Sequence, residues 1–248
     1  MKNAIKGILT IAITVVVWHR CVSAQVERQS TGKDGSMSAN ASCYDKSTGR
    51  LVGANKSVTS VLVSPGGLYR AYAVSEAVAS QAPNTPQCQN TSKLFVSGPN
   101  SKEFRLVLVV KPTPEALGNN IDLIDWSPDG RRLLFAQGVW QWDSDAGGIT
   151  VRIYDAESQA LSRESLVDEA FGTYAGKNCA GVFYPVGFSS GGQVVVTAGP
   201  YFEVAEDKPV DDSCVEKRGF WLIDFGIPAV RQLPDNYKVQ RYAKRLLQ

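Results

Sequence analysis

From Cys43 onward, apolar runs of four to eight residues alternate with clusters of Gly, Pro, Asn, Asp and Ser. Runs that short, bounded by turn residues and rich in β-branched and aromatic side chains, predict β-strands. The clearest are LVLVV (106–110), RRLLF (131–135), TVRIY (150–154) and QVVVT (193–197). Helical spacing occurs only at the C-terminus, where Val239, Tyr242 and Leu246 fall on one side among basic residues, so a short helix is expected over 237–248. Residues 25–40 (QVERQSTGKDGSMSAN) are polar and almost free of large apolar groups. They cannot bury enough surface to order themselves and predict a flexible linker. The pattern is that of an all-β chain built from antiparallel strands.

The strands repeat. SVLVSPGGLYRAYA around Gly67, LIDWSPDGRRLLFA around Gly130 and YPVGFSSGGQVVVT around Gly192 each carry an apolar strand ending in Ser, a turn closing on Gly and a second apolar strand. The glycines lie 63 and 62 residues apart, and each copy is followed by a further strand, FRLVLVV, TVRIYD or GFWLIDF. A fixed period with one strand-turn-strand per copy marks a repeat architecture. The units run over about 41–112, 119–165 and 179–234, within a β-repeat domain of 41–236. Residues 41–57 offer the outer strand of a fourth unit, because Cys43-Tyr44-Asp45-Lys46 echoes Ile153-Tyr154-Asp155-Ala156.

The central turn, Trp126-Ser127-Pro128-Asp129-Gly130, presets φ with its proline, then supplies a side-chain acceptor and a residue free to take positive φ. With the strands around it, this segment resembles the WD40-like β-propeller repeat of TolB-type periplasmic proteins. The match is good over 119–156. It weakens at 58–110, where Gly66 replaces the Asp, and again at 181–226, where Ser190-Gly191 replace Pro-Asp. The resemblance implies propeller-like blades of antiparallel strands, a periplasmic setting and cell-envelope protein partners. Propellers have about four to eight blades, so three recognisable copies imply an incomplete or open array, or one completed by a second copy of the chain.

The first 24 residues carry an address. Lys2 and Lys6 precede an apolar stretch from Ile8 to Val17, and Val22-Ser23-Ala24 supplies small residues for cleavage. This is the order of a secretory signal peptide. The apolar stretch is half of the about 20 residues a membrane helix needs, so no membrane span is expected after cleavage and the mature chain is expected to be periplasmic or secreted. Removing Lys2, Lys6 and Arg20 leaves 23 basic residues against 24 acidic ones. Such a near-neutral chain without a basic stripe is not expected to bind nucleic acid.

Cleavage also leaves an even set of cysteines, Cys43, Cys88, Cys179 and Cys214, with no C-x-x-C pair. In an exported chain that reads as two disulfides, not as a metal site. Spacing alone permits three pairings. The repeat selects one, because Cys88 and Cys214 lie 21 and 22 residues after Gly67 and Gly192, and Cys43 and Cys179 lie before the same turns. Pairing within units gives Cys43–Cys88 and Cys179–Cys214.

The single histidine, His19, lies in the signal segment. The mature chain therefore has no imidazole base, no histidine-activated serine and no histidine metal ligand. Gly187-Phe188-Ser189-Ser190-Gly191 matches a nucleophile elbow in letters only, since it falls in a strand-turn-strand unit and lacks a histidine partner. Asp143 to Gly148 opens like a calcium loop but places Tyr154 at the twelfth position, where a Glu would be needed. No metal, cofactor or catalytic residue is assigned. Trp140 and Trp142, two apart, would share a face on a strand, and with Asp143 and Asp145 they form the candidate ligand-binding set. The Asn40, Asn55 and Asn90 sequons read as polar turns. The expected function is non-catalytic binding of an envelope or secreted protein, with self-association compatible. The alternative is a carbohydrate-binding module, or a glycan hydrolase using two carboxylates.

Overall fold

The computed structural model describes residues 37–45, 47–51, 53–80, 87–142, 147–175, 180–202, 218–226 and 229–246. The strands expected from the sequence form three antiparallel sheets, one per repeat. The first blade runs β3 (Val61–Val63), β4 (Arg70–Ser80), β5 (Gln87–Ser97), β6 (Arg105–Val110), with β2 (Asn55–Val58) also on β4. The second runs β7 (Gly118–Trp126), β8 (Arg132–Trp140), β9 (Gly147–Asp155), β10 (Ala160–Leu161), with β1 (Ser38–Ala39) against β7. The third runs β11 (Ala180–Phe188), β12 (Val194–Phe202), β13 (Gly219–Asp224), β14 (Ala229–Gln232).

The three turns that define the repeat are built alike. Ser64, Ser127 and Ser189 each accept, at the backbone carbonyl, the N–H of Gly67, Gly130 or Gly192 at 2.8–2.9 Å. Each serine hydroxyl then accepts the N–H of Tyr69, Arg132 or Gln193, where the next strand begins. The three glycines adopt φ of 76°, 73° and 77°, a left-handed conformation that other residues reach only at a cost. The turns also touch one another. A Cβ on Gly130 would lie 2.8 Å from the Pro65 carbonyl oxygen, and Arg132 donates from Nη2 to the Gly192 carbonyl at 2.9 Å.

A second recurring feature closes the outer edge. Tyr44 bridges Leu51, Tyr154 pairs with Leu161, and Ile223 pairs with Val230. The aspartate after the first member of each pair accepts N–H groups of the turn: Asp45 from Ser47 and Thr48, Asp155 from Glu157 and Ser158, Asp224 from Gly226. The 44–51 segment is thus an outer hairpin like those of the second and third units, but among the described residues it does not supply the fourth unit expected from the Cys43-Tyr44-Asp45 echo. It lies at the start of the first unit, and the Cys43–Cys88 disulfide fastens it to β5. That pairing is the expected one. Closing a loop with a sequence separation of 45 contributes about 4 kcal/mol on the chain-entropy model. Cys179 and Cys214 lie outside the described residues.

Apolar faces hold the blades together. Between the first and second, Leu62, Ala71, Ala73, Leu94 and Val96 pack with Ile121, Leu123, Trp126, Leu133 and Phe135. Trp126 is fully buried there, stacks on Tyr69 and donates from Nε1 to the Leu62 carbonyl at 3.2 Å. Between the second and third, Ile124, Leu134, Val151 and Ile153 pack with Phe183, Phe188, Val194 and Trp221. The helix α1 (Leu166–Ala175) also inserts into this second layer. Ser165 donates its hydroxyl to Glu169 at the helix start, and Val167, Ala170 and Phe171, at helical spacing, are buried. The helix falls between the units expected at 119–165 and 179–234.

Three features differ from the sequence expectation. The C-terminal segment is extended, not helical. Residues 237–243 have no regular structure, and β15 (Lys244–Leu246) pairs antiparallel with β3. Tertiary partners overrode the periodicity: Val239 packs with Leu233 and Leu222 beside the third blade, and Tyr242 packs into the second layer. The strand then completes the first blade. The linker ends earlier than expected, because Ser38 and Ala39 pair with Asp122 and Ile121 and Ala39 is fully buried. Finally, Asn90 is no polar turn. It is buried in β5 and donates from Nδ2 to the Ala41 carbonyl at 2.6 Å, tying the 41–44 segment to the sheet. Residues 1–36, with the signal segment and most of the linker, lie outside the described residues.

Candidate functional site

The structure separates the indoles from a flat platform. Trp140 ends β8 and lies over Gly118, where a Cβ would come within 2.1 Å of its Nε1. Trp142 follows in a turn, and the two rings meet edge to face, with centroids 5.6 Å apart and planes at 86°. Trp142 also meets Tyr44 edge to face at 5.4 Å and packs against the apolar cluster of Ala41, Cys43, Ala77 and Cys88. Trp142 therefore serves the packing around the disulfide, and Trp140, set edge to face against it, does not form a coplanar platform with it. Asp143 and Asp145 lie outside the described residues. Ser189 occupies the strand-turn-strand setting expected of it, with its hydroxyl donating to Gln193 Oε1 within the turn.

Among the described residues the most deeply placed carboxyl is Asp125, the residue before the motif tryptophan. It is fully buried, and its Oδ1 accepts the N–H groups of Trp126 at 2.9 Å, Tyr242 at 3.2 Å and Ala243 at 2.9 Å. Arg241 lies alongside and donates to the Ile124 carbonyl at 3.0 Å. Burial raises the carboxyl's pKa above the ordinary value, against the pull of these N–H groups and of Arg241. Asp125 is thus an anchor for the returning C-terminal segment.

The surface with binding character is the face of the first blade turned away from the second. Opposed residues of neighbouring strands share a face, so the register gives rows across it. One row is Val58, Val74, Lys93, Val109; another is Tyr72, Phe95, Leu106; a third is Lys56, Glu76, Thr91. Tyr72 and Phe95 stack with centroids 4.8 Å apart, Phe104 meets Tyr72 edge-on, and the Arg70 guanidinium lies 5.1 Å over Phe104. Val58, Val78, Leu106 and Val109 are 39%, 56%, 46% and 37% exposed, four of the six large apolar side chains exposed among the described residues. Glu76 sits between Lys93 at 2.6 Å and Lys56 at 3.7 Å, and its hydrogen bond from Lys93 holds its carboxyl below the ordinary value. The apolar strip is therefore crossed by charge with cations in excess: Lys56, Lys93 and Arg70 against Glu76.

No protein-family model and no curated protein matches this chain. Likeness to the TolB-type repeat rests on the residues of the 119–156 segment. Alternation in RAYAVSEAV (70–78) marks the outer face of the first blade: Ala71, Ala73, Ser75 and Ala77 are buried on the inner side, while Tyr72, Glu76 and Val78 lie on the outer side with Val74 covered between them. Small residues on the inward positions and large ones on the outward positions reverse the usual order. Among the described residues no helix is long and apolar enough to cross a membrane.

Proposed function

We propose that the chain is an exported, non-catalytic β-repeat module that binds a protein partner in the cell envelope through the outer face of its first blade. The observation that carries this reading is the strip of exposed Val58 and Val78 and half-buried Tyr72 and Phe95 with Lys56 and Lys93 set into it. Apolar patches that remain exposed on a folded domain mark interaction sites, and cations around the strip favour a partner with an apolar centre and an acidic rim. The signal segment and the disulfide at Cys43–Cys88 support work in an oxidising compartment.

The test is a comparison of partners retained from envelope extract by the mature protein and by the Val58→Asp, Val78→Asp double variant. The two side chains are 39% and 56% exposed, and urea unfolding of the variant shows that the fold is kept before retention is compared. A partner retained by the wild type should be lost by the variant, and raising salt should weaken the wild-type complex. Identical retention by both proteins would overturn the assignment to this face.

A further inference from the structure

The first blade ends on β6, and this edge differs from the other sheet edges among the described residues. β1 and β10 are two residues long, β15 is Lys-Arg-Leu, and β14 carries Arg231. β11 contains Pro185, which has no N–H to offer a neighbouring strand. These are devices by which proteins blunt an open strand edge. β6 is six residues, Arg-Leu-Val-Leu-Val-Val, with no proline or charge after Arg105. Arg105 itself is turned toward the second blade, where it donates to the Tyr154 hydroxyl at 2.6 Å and to Gln159. Among the described residues β6 pairs only with β5.

A register shift decides which residues this edge presents. Lys93 faces Val109 and Phe95 faces Leu106 on the outer face, while Ser92 faces Val110, Leu94 faces Leu108 and Val96 faces Arg105 on the inner one. The shift between Leu94 and Phe95 leaves Val107 as the extra residue, so Leu106 and Val109 point the same way although they are three apart. In a regular strand they would point to opposite faces. Val107 and Leu108 both pack inward against the first core layer.

That pattern is self-complementary. We infer that β6 pairs antiparallel with β6 of a second copy of this chain, about a two-fold axis between Val107 and Leu108. In this register Leu106 lies opposite the partner copy's Val109, twice, on the outer face. Val107 then meets Leu108, and Arg105 meets Val110, on the inner one. Moving the register by one residue sets Leu106 against Leu108 or Val110, which point to the other face, and the face-matched alignments centred on Leu106 or on Val109 overlap only three residues of the strand, so the bulge favours the alignment that pairs all six. An isologous contact of this kind closes on itself as a dimer. Beyond the strand, Lys111 comes opposite the partner copy's Phe104, a ring that already carries the Arg70 guanidinium in its own chain. Pairing joins the two first blades into one sheet and places their outer faces side by side. It does not depend on those faces binding a further protein.

Sedimentation equilibrium of the mature chain at about 1–100 μM tests this. The wild type should have twice the chain mass at the upper concentrations. Leu106→Lys with Val109→Lys places like charges opposite each other and should be monomeric. Leu106→Glu with Val109→Lys places opposite charges across the axis in this register alone, and should restore the dimer in low salt. Thermal unfolding shows whether each variant is folded, and the mass of the Val58→Asp, Val78→Asp variant, whose changes lie on β2 and β4 away from this edge, should remain that of a dimer and so separates the pairing from partner binding by the outer face. A monomeric wild type throughout the range, or the same mass for the two edge variants, would overturn the pairing.

Discussion

At the scale of single residues, Asp125 carries the clearest consequence. Its carboxylate replaces water for two N–H groups of a segment 117 and 118 residues away. Asp125→Asn keeps an acceptor at Oδ1 and should cost little, whereas Asp125→Ala leaves those donors buried and unpaired, at about 1–3 kcal/mol each. The pH dependence separates charge from geometry. A carboxyl whose pKa is raised on folding contributes stability that is full below about pH 4 and is lost as pH rises through the raised folded value. Urea midpoints measured from pH 4 to 7 should therefore fall for the wild type relative to Asp125→Asn. A constant difference across that range would show that burial does not raise this group. Asp45 behaves in the opposite sense: hydrogen bonds from Ser47 and Thr48 lower it to about 2, so its contribution is present above about pH 4 and is lost as pH falls toward 2.

At the scale of elements, the last strand matters most. The segment from Val239 to Leu246 leaves the third blade, caps Asp125 of the second and pairs with β3 of the first. It therefore links sheets that are far apart in the chain. Deleting 240–248 removes β15 and the two N–H donors, which at roughly 1.5–3 kcal/mol for each bond to a charged group gives a loss of roughly 3–6 kcal/mol. Hydrogen exchange should report the loss locally: the amides of Val61, Leu62 and Val63 should exchange much faster, while those of the β12–β13 ladder keep their protection. Unchanged protection in β3 would mean that β15 contributes no pairing. The sequence pointed to a helix here because Val239, Tyr242 and Leu246 have its spacing. A helix of about twelve residues without partners is marginal in water, whereas the same residues, extended, satisfy both an open strand edge and a buried carboxylate.

At the scale of the whole molecule, the expectations concern processing and covalent form. Mass spectrometry of the exported protein, digested without reduction, should give a chain starting at Gln25 with Cys43 linked to Cys88 and Cys179 linked to Cys214. A mature form retaining Met1 would refute export by cleavage, and a Cys88–Cys214 peptide would refute the unit boundaries. The first pairing agrees with the structure, and it was legible because each long insertion of the repeat carries its own cysteine.

The sequence by itself determined the local layout: short strands, serine-started turns closing on glycine at nearly equal spacing, and the hairpin echo at Tyr44-Asp45. Each follows from a few neighbouring residues, whose turn chemistry and strand propensity act over short range. Tertiary structure alone decided what lies beside what. Asn90 is buried because the Ala41 carbonyl reaches it from 49 residues away, and Trp142 turns edge-on because the disulfide cluster occupies its other side. Leu106 and Val109 share a face because β5 imposes a bulge on β6. Contacts between residues far apart in the chain leave no period in the sequence. They are chosen by which buried polar groups and open edges need satisfying once the sheets have formed.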